Sequence, residues 1–224
     1  MILALVDVVW YKMEIEMTNA NYGVITRASC EPSYKETALE LMGGFAKDLR
    51  EGAGAELVRY GYFGTGQGAG DLLFVQLYEN LSGFDKAQEV YASSASYKSF
   101  FESGKVSLKL RNIVKILPIA FEPPPNPSPK YLVFTKGAAD PENKNAAVGH
   151  VQQATGILSE NGALTVRYGQ IITGTNVGQL LLAVTYPSLD AIEKTYDALN
   201  ESQIFKDLHK VVDVNQREII RLIG

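Results

Sequence analysis

Apolar positions along the chain repeat with two different periods, and the changes between them predict the elements of secondary structure. Within residues 32–50, Ala38, Leu41, Met42 and Phe45 recur at the spacing of a helix with one apolar face. Short runs rich in aliphatic and aromatic residues, bounded by glycine or polar residues, are typical of strands. In the first half of the chain these patterns predict strands over 22–29, 55–63, 71–78 and 106–117 and helices over 32–50, 82–93 and 97–102.

The second half of the chain has the same order of elements. Its patterns predict strands over 131–136, 164–172, 179–186 and 214–223 and helices over 142–158, 189–199 and 202–210. Ser188 and Asp190 stand where an N-cap and a first-turn acidic residue stabilise the start of a helix. Each half therefore predicts the order β-α-β-β-α-β, which is the ferredoxin-like motif.

The two halves are also related in sequence, which indicates a tandem duplication. The motif Val-Arg-Tyr-Gly occurs at residues 58–61 and again at 166–169, an offset of 108 (166 minus 58). That offset continues without a gap as far as Lys98 and Lys206, and after a two-residue shift Arg111 aligns with Arg217. Matches in this order and at this spacing do not readily arise by chance.

The predicted strands over 71–78 and 179–186 are apolar on both faces. The two helices of a ferredoxin-like module cover only one face of its sheet, so the second face needs another cover. We therefore predict an α+β fold in which two tandem ferredoxin-like modules pack sheet to sheet as an intramolecular pseudo-dimeric barrel. The unit is expected to be a monomeric pseudo-dimer or a homodimer joined through exposed strand edges.

We place the first module at residues 17–118 and the second at 130–224, with a linker over 119–129. Five prolines lie within 122–130, where they favour a stiff, extended spacer. Residues 1–10 are apolar apart from Asp7 but have no basic start, so they are not typical of a signal sequence. We interpret residues 1–16 as an N-terminal extension, either an over-called gene start or an added edge strand.

Composition and charge narrow the classes of partner. The net charge is −4 and the basic residues are scattered, so nucleic acid is not an expected partner. We find no apolar run long enough for a membrane helix and expect no membrane partner. The single cysteine, Cys30, cannot form an internal disulfide and is expected to have a packing role. We expect a soluble, cytoplasmic protein whose possible ligand is a small molecule.

The order of elements and the repeated Val-Arg-Tyr-Gly strand resemble the dimeric α+β barrel superfamily over residues 21–117 and 130–223. The segments 96–101 and 202–209 are similar to the second helical stretch of that family. The superfamily includes antibiotic-biosynthesis-type monooxygenases, EthD-like proteins, muconolactone isomerases, haem-degrading monooxygenases and chlorite-dismutase-like haem proteins. The resemblance implies the fold, whereas no catalytic motif of the family transfers residue by residue, and the only tryptophan, Trp10, lies outside both repeats.

The Arg-Tyr pairs are the first candidate site residues. Neighbouring residues of a strand point to opposite faces, so one member of each pair is expected between the sheets and the other beneath the helices. These residues are Arg59, Tyr60, Arg167 and Tyr168. They either bind a carboxylate or enolate or form an internal ion pair shared by both halves. Tyr78 and Tyr186 end the following strands. Each phenol there either donates a hydrogen bond to a ligand or packs at the end of the apolar core.

The two histidines are candidates for acid–base chemistry or haem ligation. His150 aligns with Leu41 or Met42, both apolar, which places it at least partly inward. His209 aligns with Phe101 near the end of a helix, where a cation is favourable. The residues lack the His and Cys spacing of a zinc site, and we predict neither a metal nor a cofactor. The glycine-rich segment 64–70 joins two strands, which favours a hairpin over a phosphate-binding loop.

Three functional hypotheses follow from these residues. In the first, the chain is a cofactor-independent, monooxygenase-like or isomerase-like enzyme that acts on a small aromatic or polyketide-like molecule, with His150 as the base. Arg59, Tyr60, Arg167 and Tyr168 would then line its pocket. In the second, it is a non-catalytic binding or interaction protein. In the third, it binds haem through His150 or His209.

Overall fold

The computed structural model describes residues 19–224, so the predicted N-terminal extension over 1–16 lies outside the described residues. The elements of the first module are β1 (Tyr22–Cys30), α1 (Lys35–Ala53), β2 (Leu57–Phe63), β3 (Leu72–Tyr78), α2 (Leu81–Ser93), α3 (Ala95–Glu102) and β4 (Val106–Leu117). Those of the second module are β5 (Tyr131–Ala138), α4 (Lys144–Glu160), β6 (Thr165–Thr173), β7 (Leu180–Tyr186), α5 (Leu189–Glu201), α6 (Gln203–Val211) and β8 (Asp213–Leu222). The predicted element order is confirmed in both halves.

A serine N-cap begins both α3 and α6, which are corresponding helices of the two modules. The Ser94 hydroxyl accepts a hydrogen bond from the Tyr97 backbone N–H at 3.1 Å at the start of α3. At the start of α6, the Ser202 hydroxyl accepts one from the Phe205 backbone N–H at the same distance. Such caps satisfy backbone donors that have no partner within the helix. The predicted cap at Ser188 is confirmed, since its side chain accepts a hydrogen bond from the first turn of α5.

The eight strands form one closed barrel in the order β1-β3-β2-β8-β5-β7-β6-β4, in which β4 pairs again with β1. Each module contributes four consecutive strands. Two antiparallel seams join the modules, a short one between β2 and β8 and a longer one between β4 and β6. The predicted pseudo-dimeric barrel is therefore confirmed, and the edge strands of the two sheets pair with each other within the chain. Within the described residues, this pairing covers part of the strand edges through which a homodimer, the second of our two expectations, would form.

The barrel wall separates two kinds of apolar core. Residues such as Leu73, Phe134 and Ile220 fill the barrel interior. On the outer face, the first module packs α1, α2 and α3 over its strands, and the second module packs α4, α5 and α6 over its own. Both faces of the sheet are thus buried, as the apolar strands over 71–78 and 179–186 predicted.

The connections agree with the turn chemistry of the sequence. Gly66 and Gly70 in the β2–β3 connection have φ angles of 85° and 95°, which glycine adopts without strain. This glycine-rich segment is therefore a hairpin connection, as predicted. The proline-rich segment between Leu117 and Tyr131 contains neither helix nor strand. In the described part of the chain, the helices are too short or too polar to cross a membrane.

Candidate functional site

The duplicated Val-Arg-Tyr-Gly motif distributes its side chains between the two faces of the barrel wall. Arg59 and Arg167 line the barrel interior, where they border one cavity. Tyr60 packs on the helix side against Phe74, with ring centroids 6.2 Å apart. Tyr168 borders the interior cavity and packs in the cluster beneath α4. The alternation that we predicted for the Arg-Tyr pairs thus directs both arginines inward.

The tyrosines that end β3 and β7 are buried. Tyr78 is 1% exposed, and its hydroxyl donates to Gln76 Oε1 at 2.8 Å. Tyr186 is 0% exposed and packs in the core of the second module. Burial raises the pKa of both phenols, so both are neutral. Neither tyrosine borders the barrel cavity or the pocket beneath the helices, and a ligand role for them stays a prediction.

A second cavity lies in the first module between the sheet and α1 and α3. We call it the helix-side pocket. It is lined by Thr26, Phe74, Gln76 and Arg111 from the strands and by Phe45, Tyr97, Phe100 and Phe101 from the helices. The Tyr97 ring lies at the centre of these aromatic side chains, with centroids 4.8 Å from Phe45 and 4.9 Å from Phe101. The walls of the pocket are therefore largely aromatic.

Arg111 brings a positive charge into this aromatic pocket. Its Nε donates to Thr26 Oγ1 at 3.2 Å, and its Nη2 donates to the Tyr97 hydroxyl at 3.4 Å. The guanidinium carbon lies 4.7 Å from the centroid of the Tyr91 ring, which is the geometry of a cation–π contact. Within the described residues, Arg111 makes no ion pair with a carboxylate. Neutral groups hold the guanidinium of Arg111 in place, so it can form an ion pair with a bound anion.

A buried polar network lies beside Arg111. Gln76 is 1% exposed, and its Nε2 donates to the Tyr91 hydroxyl at 2.8 Å. Its Oε1 accepts from Tyr78, so one amide joins two phenols. Burial raises the pKa of Tyr91, and the charge of Arg111 opposes this shift. The network consequently presents neutral hydroxyl groups beneath the pocket.

The second module has the arginine but not the polar network. The Arg217 Nε donates to Thr135 Oγ1 at 3.3 Å, just as Arg111 does to Thr26. Arg217 is exposed, however, and lies over the ring of Tyr196. At the 108-residue offset, Val184 and Leu199 replace Gln76 and Tyr91. The duplication has therefore diverged, and the half-buried arginine with its network belongs to the first module.

Comparisons with known proteins agree with this two-module architecture. The family model described as a domain of unknown function, DUF6854, matches the chain twice, over residues 20–116 and 129–222. The chain belongs to the DUF6854 family. No curated protein matches its sequence significantly.

Solved structures of other proteins share the fold of this DUF6854 protein. A proposed monooxygenase of Fusobacterium nucleatum superposes with a TM-score of 0.64 at 13% identity, covering 92% of this chain and 94% of its own. An anthrone oxidase-like protein superposes at 0.60 with 12% identity, covering 91% and 92%. A mutant chlorite dismutase of Candidatus Nitrospira defluvii superposes at 0.58 with 12% identity, covering 92% and 93%. At these identities the likeness establishes the dimeric α+β barrel fold alone.

The two histidines of the DUF6854 protein lie away from both apolar cavities. His150 is on α4, with its Nδ1 buried and, among the residues that the structure describes, without a hydrogen-bond partner. His209 is in the last turn of α6, with its ring edge-on to Phe205 and the centroids 4.5 Å apart. Among the described residues, no histidine lines either apolar cavity, and His209 borders an open pocket with Asp140, Lys210 and Asp213. A porphyrin needs an apolar enclosure beside its axial ligand, so the described residues do not fit haem. The described residues also contain no group of three or more metal-ligating side chains.

The candidates of the first functional hypothesis do not converge on one pocket. Arg59, Arg167 and Tyr168 border the barrel cavity, whereas Tyr60 and His150 do not. Sequence reasoning missed Arg111, although its alignment with Arg217 was visible. The overlooked signal was a charged residue within a predicted strand, because a charge that becomes half-buried there needs a partner. The replacement of Gln76 by Val184 was a second signal, because a polar residue in an apolar strand indicates a buried network.

Proposed function

We propose that the chain binds a small aromatic or polyketide-like molecule in the helix-side pocket and stabilises it as a phenolate or enolate anion. The observation that carries this proposal is Arg111, a half-buried guanidinium among aromatic rings with no carboxylate partner in the described residues. A nearby cation in a water-poor site favours the ionised form of a bound acid and lowers its pKa. The pocket of the first module is therefore suited to an acidic phenol, quinol or β-dicarbonyl compound.

The residues around the pocket have separable roles in this proposal. Arg111 and the hydroxyl of Tyr97 hold the oxygen of the anion, and the rings of Phe45, Phe74 and Phe101 enclose its apolar body. About 30 Å³ is open to the centres of water-sized molecules, which is room for roughly two waters. A larger ligand therefore requires rings that line the pocket, such as that of Phe101 on the short helix α3, to move aside.

The chemistry available at this site depends on the acidity of the ligand. Among the described residues, the pocket is lined by neither a carboxylate nor an imidazole. The proton of the ligand therefore leaves to water, and Arg111 supplies the electrostatic stabilisation. A phenolate or enolate is the electron-rich form that is reprotonated at carbon in isomerisation and oxidised by molecular oxygen in cofactor-independent monooxygenation. This is why we favour a monooxygenase-like or isomerase-like enzyme over a non-catalytic binding protein.

The proposal is tested with 4-nitrophenol, whose phenolate absorbs visible light. We expect the full chain to bind it and to lower the pKa of the bound phenol relative to the free dye, as absorbance titrations against pH would measure. Arg111→Gln should weaken binding about tenfold and return the pKa of the bound dye towards that of the free dye. Arg217→Gln is the matched control, because Arg217 is the equivalent arginine of the second module and is exposed. It should leave both the affinity for the dye and the pKa of the bound dye unchanged.

Two results would contradict the proposal. Binding that is insensitive to Arg111→Gln would show that the dye occupies another site. Binding that depends on Arg111 without any change in the pKa of the bound phenol would remove the argument for anion stabilisation. Enzymatic action is examined separately by incubating the protein with quinols and β-dicarbonyl compounds and following oxygen uptake and isomer formation. Tight binding without turnover across such a panel would favour the non-catalytic hypothesis.

A further inference from the structure

The barrel interior contains a cavity at the end where β1, β2, β5 and β6 begin. We call it the barrel-end cavity. It is on the opposite face of the sheet from the helix-side pocket and shares none of its lining residues within the range 19–224. Its walls are mainly aliphatic, including Ile25, Val75, Leu181 and Ala183. About 70 Å³ is open to the centres of water-sized molecules, which corresponds to roughly five waters.

Two arginines line this cavity from opposite sides of the barrel. Arg59 is on β2 and Arg167 is on β6, and these strands are separated by four steps in either direction around the closed eight-strand order. Burial lowers the pKa of Arg59, and the positive charge of Arg167 lowers it further. Burial also lowers the pKa of Arg167, an effect that Glu56 opposes. Both guanidinium groups thus lie in an apolar space, where burial disfavours their charged form.

Two threonines add hydroxyl groups next to Arg167. Thr165 and Thr185 are buried directly opposite each other on β6 and β7, with 2.7 Å between their hydroxyl oxygens. Nη1 of Arg167 lies 3.5 Å from Thr165 Oγ1. The equivalent cross-strand pair of the first module is Leu57 with Leu77. Polar groups are thus concentrated on one wall of the cavity and replaced by leucines on the opposite wall.

The charges at the other end of the barrel are balanced by carboxylates. Nε of Arg27 lies 2.7 Å from Asp71 Oδ2, and its Nη1 lies 3.4 Å from Glu218 Oε1. Arg167 differs, because within the described residues it has no carboxylate within 4.0 Å. A guanidinium in an apolar cavity is stabilised by an anion that also satisfies its N–H donors. One of the two neighbouring hydroxyls uses its proton in the bond between them, and the other can donate to that anion as well.

We propose that the barrel-end cavity binds a small monocarboxylate with an apolar body. The carboxylate lies against Arg167 and the hydroxyls of Thr165 and Thr185. The apolar body contacts Val75 and Ala183. This site is independent of the phenolate or enolate site, because it lies on the other face of the sheet and depends on other residues.

The test is calorimetric titration of the full chain with 3-methylbutanoate. We expect binding, and we expect the neutral analogue 3-methylbutan-1-ol to bind at least about tenfold more weakly, because it lacks the charge that Arg167 pairs with. Arg167→Gln should weaken carboxylate binding by about tenfold or more. Arg111→Gln should have no effect, which separates this site from the helix-side pocket.

A second variant keeps the test decisive if Arg167→Gln does not fold. The double variant Thr165→Val with Thr185→Val restores an apolar cross-strand pair like Leu57 with Leu77 and is expected to unfold cooperatively. It should weaken 3-methylbutanoate binding several-fold while leaving the binding of the alcohol unchanged. The proposal is overturned if the wild-type chain gives no binding heat at about 10 mM ligand. It is also overturned if binding responds to Arg111→Gln but to neither variant of the barrel-end cavity.

Discussion

Gly61 and Gly169, the last residues of the two Val-Arg-Tyr-Gly motifs, occupy equivalent places in the two seams that join the modules. Gly61 pairs with Leu222 of β8, and Gly169 pairs with Ile116 of β4. A Cβ atom at Gly61 would overlap the backbone carbonyl of Arg221, and one at Gly169 would lie 2.6 Å from the carbonyl oxygen of Lys115. The motif thus supplies both the inward arginine and the glycine that lets the neighbouring strand approach.

Alanine at either seam glycine is expected to destabilise the protein. Gly61→Ala and Gly169→Ala should each lower the free energy of unfolding by about 1–3 kcal/mol, because a backbone carbonyl must shift to admit the methyl group. Urea denaturation followed by circular dichroism measures this. Gly149→Ala is the matched control, since Gly149 is exposed on α4 with open space around it. It should raise stability by about 1 kcal/mol through helix propensity. Equal stability of Gly61→Ala and wild type would contradict the close approach.

Replacement of Gln76 should reveal the energetic value of the buried network. Gln76→Val copies the residue that the second module has at this position, Val184, and leaves the hydroxyls of Tyr78 and Tyr91 without their amide partner. Each buried, unpaired polar group costs about 1–3 kcal/mol, so the free energy of unfolding should fall by at least that amount. Gln88→Ala on the exposed face of α2 should change it by less than about 0.5 kcal/mol. An unchanged midpoint in Gln76→Val would mean that the network is not satisfied in solution.

The cluster at the far end of the barrel should depend strongly on Asp71. Its carboxylate is paired with Arg27 and also accepts from Lys109 Nζ at 2.9 Å, and its side chain is 8% exposed. Asp71→Asn should cost about 3–5 kcal/mol, because it leaves a buried cation without one of its partners. Glu51→Gln breaks an exposed pair with Lys47 and should cost less than about 0.5 kcal/mol. Thermal and urea unfolding of both variants would measure the difference, and similar losses would contradict it.

Cys30 should react slowly with alkylating reagents. Burial raises the pKa of its thiol, the neighbouring Glu31 raises it further, and Lys35 opposes them. A raised pKa means that less thiolate is present at any pH below it, and the thiolate is the nucleophile. The rate of iodoacetamide labelling should therefore be lower in the folded chain than in urea, and its pH midpoint should be higher. Because Cys30 is the only cysteine, mass spectrometry reports its labelling directly. Faster labelling of the folded chain would show an activated thiol.

The local sequence pattern was sufficient to locate the strands and helices of the described range and to recognise the two modules as repeats of each other. Apolar periodicity, serine caps and glycine turns act over a few residues, so they can be read without knowing distant contacts. The prediction that each Arg-Tyr pair divides between two faces also follows from strand geometry alone. The apolar character of β3 and β7 on both faces was enough to predict that each sheet covers the other.

Contacts between distant residues were decided by the tertiary structure. The closure of the barrel through β2–β8 and β4–β6, and the place of Arg59 opposite Arg167, depend on strand order and register. The alignment placed His150 at least partly inward, and its Nδ1 is buried, yet α4 carries it away from both apolar cavities and from the arginines. The pocket around Arg111 combines side chains from three strands and two helices. These side chains come together because the strands and helices pack against each other. The spacing of residues along the sequence does not show which faces of those elements will be in contact.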